Sequence, residues 1–399
     1  MNPLRLFTRQ NSLVIKFDRL LHDTWATWCA KVGPKLKIVS VSPCISEHVL
    51  IRAESITAWK QTLEDTYYKI EQGSRGIKHP GVSLYHLKDV SIIGRESFAF
   101  TGKHTMLRLD PSMDGAPKRK IRRPIGFMAR RIKGTSLSLG SRYTDNHFHF
   151  LFEHLPLILL AREYLGENAS LNILITPNQA WWQTEYLVRL GENPEKIIEL
   201  TTGTMQCDDA WLIPNLALTD RVLPYEANVY REIARRFKKG ITPRRKNRSL
   251  FITRKDATRR RLQNEDDVFA ELQKTYPDLE RITLSRISLQ DQLEHFSEAA
   301  FVIGPAGQAF RNILFCDGAL CIELTPGCRE PKNIYGEWTL TTTHLGMIHG
   351  NRYLPLYAEE HYAQNESDWT FPIETLKRAL QRLESMGEIA PLNSEINQS

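Results

Sequence analysis

The alternation that decides the fold begins at residues 249–255, SLFITRK, an apolar run that ends in two cations. From there, helix-like and strand-like patterns take turns along the chain. They are a helical pattern at 265–275, RITLS (281–285), a helical pattern at 288–297, AAFVIG (299–304), a helix from about 308, and ALCIELTP (319–326). Strands that alternate with helices predict a parallel sheet with crossover helices, so this part of the chain is predicted to be a doubly wound α/β unit.

The same alternation precedes this unit. Its segments are short strand-like runs within 81–110, helical LILLAREYLG (157–166), strand-like LNILITP (171–177), a helical pattern at 179–191, strand-like AWLIPN (210–215) and a basic helix at 224–239. Two such units in tandem predict an α/β protein whose two Rossmann-like domains face each other across a ligand cleft.

The polar, basic segment TPRRKNRS (242–249) marks the predicted domain boundary. We therefore expect an N-terminal domain over 1–241 and a C-terminal domain over 242–365. A tail over 366–399 contains an amphipathic helix at 373–386, which we expect to pack back on the N-terminal domain.

Composition narrows the functional classes. The 399 residues carry a net charge of +7 and a pI of about 9.0, which favours anionic ligands. The six cysteines form no C-x-x-C pair, which is typical of a reducing cytoplasm rather than of a zinc or disulfide framework. Residues 12–30 form an amphipathic pattern that fits either a membrane-surface helix or a helix packed on the first domain. We expect a cytoplasmic protein that can contact the inner face of a membrane.

The first segment with catalytic potential is NHFHFLFEHLP, residues 146–156. Asn146 is predicted to cap a helix, which places His149 and Glu153 four residues apart on one face. A carboxylate beside an imidazole is suited to deprotonating a sugar hydroxyl. Pro156 lacks a backbone N–H, so the carbonyl of Phe152 loses its usual partner and a kink is predicted there.

Two other interpretations of this segment stay open. A metal could be held by His147, His149, Glu153 and His154, although their spacing, H-x-x-x-E-H, matches neither common zinc-protease pattern. Alternatively, the segment is a half-buried amphipathic helix whose histidines are satisfied by structural hydrogen bonds.

The second segment, residues 252–265, follows a strand and is rich in cations. Arg254 ends the strand, Arg260 lies in the cationic loop, and Asn264 is positioned to cap the next helix. Cations at the carboxyl end of a parallel strand, beside a helix N-terminus, are suited to a diphosphate, although a solvated basic loop has the same pattern.

The third segment, residues 301–312, is an apolar strand followed by a turn that contains Gly304 and Gly307. Small residues let a phosphate or a sugar approach the backbone, and the following helix N-terminus favours negative charge. Glu323, at the end of a later strand, is a candidate acceptor for a ribose diol.

Together the three segments resemble glycosyltransferase family 61. The matching positions are Asn146, His149, Phe150, Glu153 and Pro156 in the first segment; Arg254, Arg260, Asn264 and Glu265 in the second; and Gly304, Gly307, Asn312 and Glu323 in the third. Three positions depart from the family pattern, because Phe150 replaces its usual tryptophan, Ala306 replaces its histidine and Gln308 replaces the alanine that follows.

The resemblance implies a GT-B fold, with an acceptor-side domain over 1–241 and a nucleotide-sugar-binding domain over 242–365. It also implies an inverting glycosyltransferase that needs no divalent cation or other cofactor, and the chain contains no Asp-x-Asp. The implied partners are a nucleotide sugar, expected to be UDP-linked, and a glycan or lipid-linked glycan acceptor of surface polysaccharide synthesis. Glu153 is assigned as the base and His149 as its partner, with the reverse left open.

On the donor side, the resemblance implies phosphate binding at Gly304, Gly307 and Asn312 and charge neutralisation by Arg254 and Arg260. The ribose is assigned to Glu323 or Glu265. Either Arg254 or Gln308 is expected to replace the missing histidine.

Two alternatives come from other functional classes. Ala306 favours a catalytically impaired, glycan-binding homologue of the same fold. The runs KRKIRR (118–123) and 231–248 suggest nucleic-acid binding, but no helix-turn-helix, zinc-finger or RNP pattern accompanies them. We therefore expect no nucleic-acid partner.

Overall fold

The computed structural model describes fifteen stretches of the chain. They are residues 37–40, 47–51, 82–93, 98–101, 105–108, 130–139, 146–175, 181–200, 204–213, 227–243, 247–326, 342, 345–346, 348–358 and 368–387. These residues divide into two compact units, the first holding the described residues up to 213 and the second those from 227 onward. The candidate membrane-surface helix at 12–30 and the basic run at 118–123 lie outside the described residues.

The first unit is built on one mixed sheet. Its strands are β1 (Lys37–Ser40), β2 (Glu47–Ile51), β3 (Val82–Ile93), β4 (Phe98–Thr101), β5 (Thr105–Arg108), β6 (Arg130–Ser138), β7 (Asn172–Ile175), β8 (Ile197–Glu199) and β9 (Thr204–Leu212). Their order is β1-β5-β4-β3-β9-β6-β7-β8, and β2 also pairs with β3. Strands β6, β7, β8 and β9 are parallel to their neighbours in this group.

The first sheet differs from the Rossmann-like sheet predicted for it. Strand β3 is antiparallel to β2, β4 and β9, and β4 is antiparallel to β5. The segments that join β3 to β4 and β4 to β5 are too short for a crossover, so these strands can only pair antiparallel. The parallel part follows the predicted alternation, and the α/β class is confirmed.

Helices of the first unit lie where the sequence predicts them. They are α1 (His147–His149), a π-helical segment (Phe150–His154), α2 (Leu155–Leu165) and α3 (Trp181–Leu190), followed by a 3-10 turn (Pro194–Lys196). Helix α2 connects β6 to the parallel strand β7 and buries an almost continuous apolar surface.

The second unit contains a fully parallel sheet. Its strands are β10 (Arg248–Ile252), β11 (Leu279–Ile282), β12 (Ala299–Pro305), β13 (Leu320–Thr325) and β14 (Arg352–Tyr357). The order β11-β10-β12-β13-β14 means that the chain moves in opposite directions from β10, first to β11 and then to β12. The carboxyl ends of β10 and β12 therefore form the switch point at which sheets of this order bind ligands.

Four helices with defined bounds and two 3-10 segments accompany this sheet in the described residues, besides the helical residues 342, 345–346 and 348. They are α4 (Ala227–Phe237), α5 (Glu265–Thr275), α6 (Leu289–Glu298), α7 (Ile373–Ser385), and the 3-10 segments Leu284–Arg286 and Gln308–Phe315. Helix α6 begins with a capping box between Ser288 and Asp291. The helix predicted from about 308 is a 3-10 helix.

Helix α7 packs differently from our expectation that it returns to the N-terminal domain. Its apolar face, Leu376, Leu380 and Leu383, lies in the core of the second unit with Phe251 and Leu272. These leucines recur at helical spacing, and the parallel sheet supplies the apolar face that they cover.

Helix α4 lies in the second unit, whereas the predicted boundary between residues 241 and 242 would place it in the N-terminal domain. The ring of Phe237 stacks on Phe315 at a centroid distance of 5.5 Å, and Lys238 Nζ lies 2.9 Å from the carboxylate of Asp317. The basic helix is thus part of the second unit. None of the helices in the described ranges has both the length and the apolar composition needed to cross a bilayer.

Candidate functional site

A widened helical turn lies in the middle of the first predicted segment. The backbone N–H of Leu155 bonds to the carbonyl of Phe150, five residues earlier, and Phe150–His154 form a π-helix. Pro156 follows directly and has no N–H to donate to Phe152, so the regular α-helical ladder cannot pass through this point. The predicted irregularity at Phe152 is present, as a π segment, and such segments occur frequently at functional sites.

The capping and pairing predicted for this segment are both present. The side chain of Asn146 accepts hydrogen bonds from the backbone N–H groups of Phe148 (3.0 Å) and His149 (3.5 Å). Nδ1 of His149 lies 2.6 Å from Oε1 of Glu153. The Glu153 side chain is only 2% exposed, whereas that of His149 is 26% exposed, so the imidazole lies nearer the surface than the carboxylate.

Of the two other histidines of the segment, His154 is buried and His147 is half-buried, and their surroundings favour the neutral form of both. Burial lowers the pKa of His147 to about 4, and its Nε2 lies 2.7 Å from the hydroxyl of Tyr186 on α3. Burial, together with the nearby His149, lowers the pKa of His154 to about 3. His147 therefore contributes a structural contact to α3, as the second interpretation of the segment predicts for part of it.

At the carboxyl end of β10, a buried carboxylate fixes the start of the cationic loop. Glu265 accepts a hydrogen bond from the hydroxyl of Thr253 and another from the backbone N–H of Arg254, the latter at 3.1 Å. Both Glu265 and Thr253 are buried. The side chain of Glu265 thus holds the loop backbone, which differs from its predicted ribose contact.

Arg254 and the two predicted glycines meet at the switch point. A Cβ atom added to Gly307 would lie 1.5 Å from Nη1 of Arg254, so the guanidinium occupies the space beside this glycine. A Cβ atom on Gly304 would lie 2.6 Å from the backbone oxygen of Ile252 on β10. Gly307 therefore makes room for a cation, and Gly304 makes room for the neighbouring strand.

The second half of the loop is tied to residues 368–371. The amide of Asn264 donates to the carbonyl of Phe371 at 2.8 Å and accepts from its N–H at 2.9 Å. Asn264 occupies the capping position before α5 but makes no side-chain cap bond. Arg260 has a left-handed backbone (φ 56°), and its carbonyl accepts a 3.3 Å hydrogen bond from the indole of Trp369.

Glu323 lies in a buried cluster with Arg311 and Tyr353. Its Oε2 accepts a 2.5 Å hydrogen bond from the hydroxyl of Tyr353, and its Oε1 lies 3.6 Å from Nη1 of Arg311. Burial and the adjacent Glu323 carboxylate raise the pKa of Tyr353 well above its ordinary value. Tyr353 consequently remains a neutral donor, and Glu323 has protein partners where a ribose contact was predicted.

The remaining predicted residues of the third segment, residues 301–312, differ in their exposure to solvent. Gln308 is exposed at the start of the 3-10 helix. Asn312 is buried and donates to the carbonyl of Ala309 at 3.0 Å. Ala306 donates its backbone N–H to the carbonyl of Leu324 at 2.7 Å, which fixes the turn between β12 and the 3-10 helix.

Within each unit, the structure brings together part of the predicted set. His149 and Glu153 form a pair in the first unit, and Arg254, Gly304 and Gly307 meet at the switch point of the second. Sequence reasoning missed Trp369, Arg311 and Tyr353, which act through contacts remote in sequence. For Trp369, the only signal in the sequence was the aromatic and charged character of the run DWTF (368–371).

Comparison with protein families gives one match. Residues 147–322, less than half of the chain, match the family model described as Glycosyltransferase 61. The matched segment runs from the first residue of α1 into β13 and so includes both members of the pair and the switch point. It supports the predicted resemblance to glycosyltransferase family 61, and with it a glycosyltransferase. A comparison with curated proteins gave no match.

Proposed function

We propose, on the premise that residues 147–322 form a glycosyltransferase 61 domain, that the chain transfers a sugar from a nucleotide-sugar donor to a glycan acceptor. The observation that carries the proposal is the guanidinium of Arg254 packed against Gly307 at the switch point between β10 and β12. In parallel sheets of this strand order, the switch point is the usual place for a nucleotide or another phosphorylated ligand.

On the donor side, Arg254 and Arg260 neutralise the diphosphate leaving group, and Gly304 and Gly307 allow it to approach the backbone. Negative charge on the diphosphate grows as its bond to the sugar breaks, so a fixed cation stabilises the transition state more than the bound donor. Glu265 holds the backbone of Arg254 in advance. We expect this arrangement to support transfer without an added divalent cation.

On the acceptor side, His149 acts as the general base and Glu153 orients it. This reverses the assignment first made from the sequence. A carboxylate oxygen 2.6 Å from Nδ1 places the proton on that nitrogen, so Nε2 carries the lone pair that accepts a proton. The greater exposure of His149 supports its contact with a substrate, and the buried Glu153 stabilises the imidazolium that forms.

The proposed chemical step is a single displacement. The acceptor hydroxyl gives its proton to Nε2 of His149, and its oxygen forms a bond to the anomeric carbon. The bond between that carbon and the diphosphate oxygen breaks on the opposite side, and its electron pair leaves with the nucleoside diphosphate. Attack from the face opposite the leaving group inverts the anomeric configuration.

Replacement of the family's histidine by Ala306 is compatible with this mechanism. The guanidinium of Arg254 lies beside Gly307, the residue directly after Ala306, and so places a positive charge in the turn. We propose that Arg254 compensates for the missing imidazole. The alternative, a glycan-binding homologue without transferase activity, predicts that this cation makes no difference to nucleotide binding.

For the substrates, we propose a UDP-linked donor and a glycan or lipid-linked glycan acceptor in the synthesis of capsule, O-antigen or exopolysaccharide. The net charge of +7 supports anionic ligands such as a nucleotide diphosphate or an anionic membrane surface. The proposed location is the cytoplasm, at the inner face of the membrane.

Calorimetric titration of the full chain with UDP and with a panel of UDP-sugars, with and without EDTA, tests this function. We expect UDP to bind in EDTA, and Arg254→Ala to weaken binding by about tenfold or more, as for a lost charge-assisted hydrogen bond. Lys274→Ala, which removes a surface cation paired with Glu271, is the control. If neither UDP nor any other nucleoside diphosphate binds, or if both variants bind like the wild type, the donor site is wrongly assigned.

A further inference from the structure

A short segment near the end of the second unit contacts the whole second half of the cationic loop. This segment, residues 368–371, is called the latch below. The cationic loop, residues 254–264, carries five basic side chains. Backbone hydrogen bonds join the two: Trp369 N–H to the carbonyl of Arg261 (2.9 Å) and Gln263 N–H to the carbonyl of Trp369 (2.7 Å). The latch therefore runs beside the loop as a short parallel bridge.

Side chains reinforce this bridge at both ends. Asp368 accepts hydrogen bonds from the backbone N–H of Arg261 at 2.9 Å and from its guanidinium at 2.7 and 2.9 Å. At the other end, Asn264 and Phe371 exchange two hydrogen bonds. Between them, Trp369 is buried in the apolar core of the second unit, so the core fixes the position of the latch.

The contacts of the latch continue to the switch point. The indole N–H of Trp369 donates to the carbonyl of Arg260, whose left-handed backbone is unfavourable for a residue with a Cβ atom. The preceding carbonyl, that of Arg259, accepts a 3.5 Å hydrogen bond from Nη2 of Arg254. The same guanidinium packs against Gly307. A continuous path of contacts thus leads from Trp369 through two loop residues to Arg254.

We propose that Trp369 is a positioning residue for the donor site. By holding Arg260 in its left-handed conformation, it places the carbonyl of Arg259 where it orients the guanidinium of Arg254 towards the bound diphosphate. This inference rests on the proposed function, because it assigns the loop cations to a nucleoside diphosphate. It also gives the latch a role in ligand binding in addition to its role in the core.

Trp369→Phe is the main test, because it removes the indole N–H and keeps an aromatic ring in the core. We expect the dissociation constant for UDP to rise by about three- to tenfold, the effect of losing one hydrogen bond. In an Arg254→Ala background, the same substitution should cause no further loss, because Trp369 acts through that guanidinium. Leu376→Val is the matched control, since it perturbs the same core and leaves the side chains that form hydrogen bonds between the latch and the loop unchanged.

A second variant protects the test against a folding defect. Asp368→Asn weakens the pairing with Arg261 at the surface end of the latch, and we expect a loss of UDP affinity of about two- to fivefold. Wild-type affinity in both Trp369→Phe and Asp368→Asn overturns the proposal. An equal loss from Trp369→Phe with and without Arg254 also overturns it, because the effect is then not transmitted through the arginine.

Trypsin gives a readout that does not depend on the ligand. Loosening of the latch should accelerate cleavage after Arg259, Arg260 and Arg261 in ligand-free Trp369→Phe, but not in Leu376→Val. If wild-type protein fails to bind UDP while cleavage still accelerates, the latch holds the loop and the proposed donor is wrong. If cleavage is unchanged, Trp369 does not position the loop, whatever the donor is.

Discussion

The side chains of His149 and Glu153 have different proposed tasks, and the kinetics should separate them. His149→Ala removes the proton acceptor, so we expect kcat for sugar transfer to fall by about a hundredfold or more. Glu153→Gln retains an oxygen near Nδ1 but loses the charge that stabilises the imidazolium, and we expect a loss of about tenfold to a hundredfold. UDP affinity, measured by titration, should stay unchanged in both.

His295→Gln on α6 is the control for this experiment and should transfer sugar at the wild-type rate. Transfer by His149→Ala within a factor of two of wild type contradicts the assignment of His149. A larger loss in Glu153→Gln than in His149→Ala restores the original assignment of Glu153 as the base.

Replacing Gly304 and Gly307 by alanine should affect different properties, stability at Gly304 and UDP affinity at Gly307. At Gly307, the new methyl group meets the guanidinium of Arg254, a long side chain that can adopt another rotamer, so the protein should fold while UDP affinity falls by about tenfold or more. At Gly304, it meets the backbone oxygen of Ile252, which cannot move without distorting the sheet. We expect Gly304→Ala to lower the free energy of unfolding by about 1–3 kcal/mol.

Thermal unfolding and UDP titration of both alanine variants measure the two effects. The backbone of Gly307 is extended, with φ of 167°, so alanine introduces no backbone strain there. A strongly destabilised Gly307→Ala protein would therefore be unexpected, and wild-type UDP affinity in that variant would remove Arg254 from the donor site.

At the level of residues, the sequence indicated which residues lie near the candidate sites better than it indicated what those residues contact. The i, i+4 spacing was sufficient to pair His149 with Glu153, because a single helical segment fixes that contact. It was insufficient for Asn264, Glu265 and Glu323, whose partners are the backbone of Phe371, the start of the loop and Tyr353. Only the tertiary fold brings those partners close, so a buried structural carboxylate resembles a ligand-binding one in the sequence.

The helix from His147 to Leu165 contains two histidines that the fold keeps neutral. Burial lowers the pKa of His147 to about 4 and of His154 to about 3, whereas an unfolded histidine titrates near 6.5. Between these values the unfolded chain binds more protons than the folded one. Stability is therefore complete above about pH 6.5 and is lost as the pH falls below it.

His154→Leu removes one of these titrating groups without exposing apolar surface. We expect the free energy of unfolding of the wild type to decrease between pH 7 and pH 5, and that of the variant to decrease by about 2 kcal/mol less. Urea unfolding at both pH values measures the difference. Leu155→Val, a packing change in the same helix, should shift both values equally, and an identical pH dependence for His154→Leu would contradict the neutral state.

At the level of elements, periodicity located most helices and strands but not their fine geometry. The helix at 265–275 was predicted with its observed bounds, because its apolar pattern is regular. The irregularity at Phe152 followed from Pro156, whereas its form, a π-helix, depends on packing. Strand β14 was missed because Pro355 opposes a strand assignment; the strand lies at the end of the sheet, where proline is tolerated.

For the whole molecule, donor binding should stabilise the second unit first. Hydrogen exchange with and without saturating UDP should show the largest slowing in residues 253–265 and 304–312, because a ligand that binds the folded state suppresses opening around its site. Helix α2 of the first unit serves as the internal reference. Slowing confined to the first unit would place the nucleotide elsewhere.

The bounds of the two compact units depend on packing that composition does not reveal. Composition marked TPRRKNRS as a linker, yet α4 precedes it and packs on the 3-10 helix of the second unit through Phe237. Likewise, the leucines of α7 complete the second core. Amphipathic patterns show that a helix buries one face, but they do not say which surface covers it, so both positions required the tertiary structure.

The distance along the chain between the latch and the loop it holds affects biosynthesis. Arg261 and Asp368 are separated by 107 residues, which take roughly 5–20 s to translate at about 5–20 residues per second. During that interval β10 and the cationic loop have left the ribosome, while Trp369 and the leucines of α7 have not. The nascent second unit therefore lacks part of its core, and we expect it to reach its full affinity for the proposed donor only after Phe371 has emerged and docked.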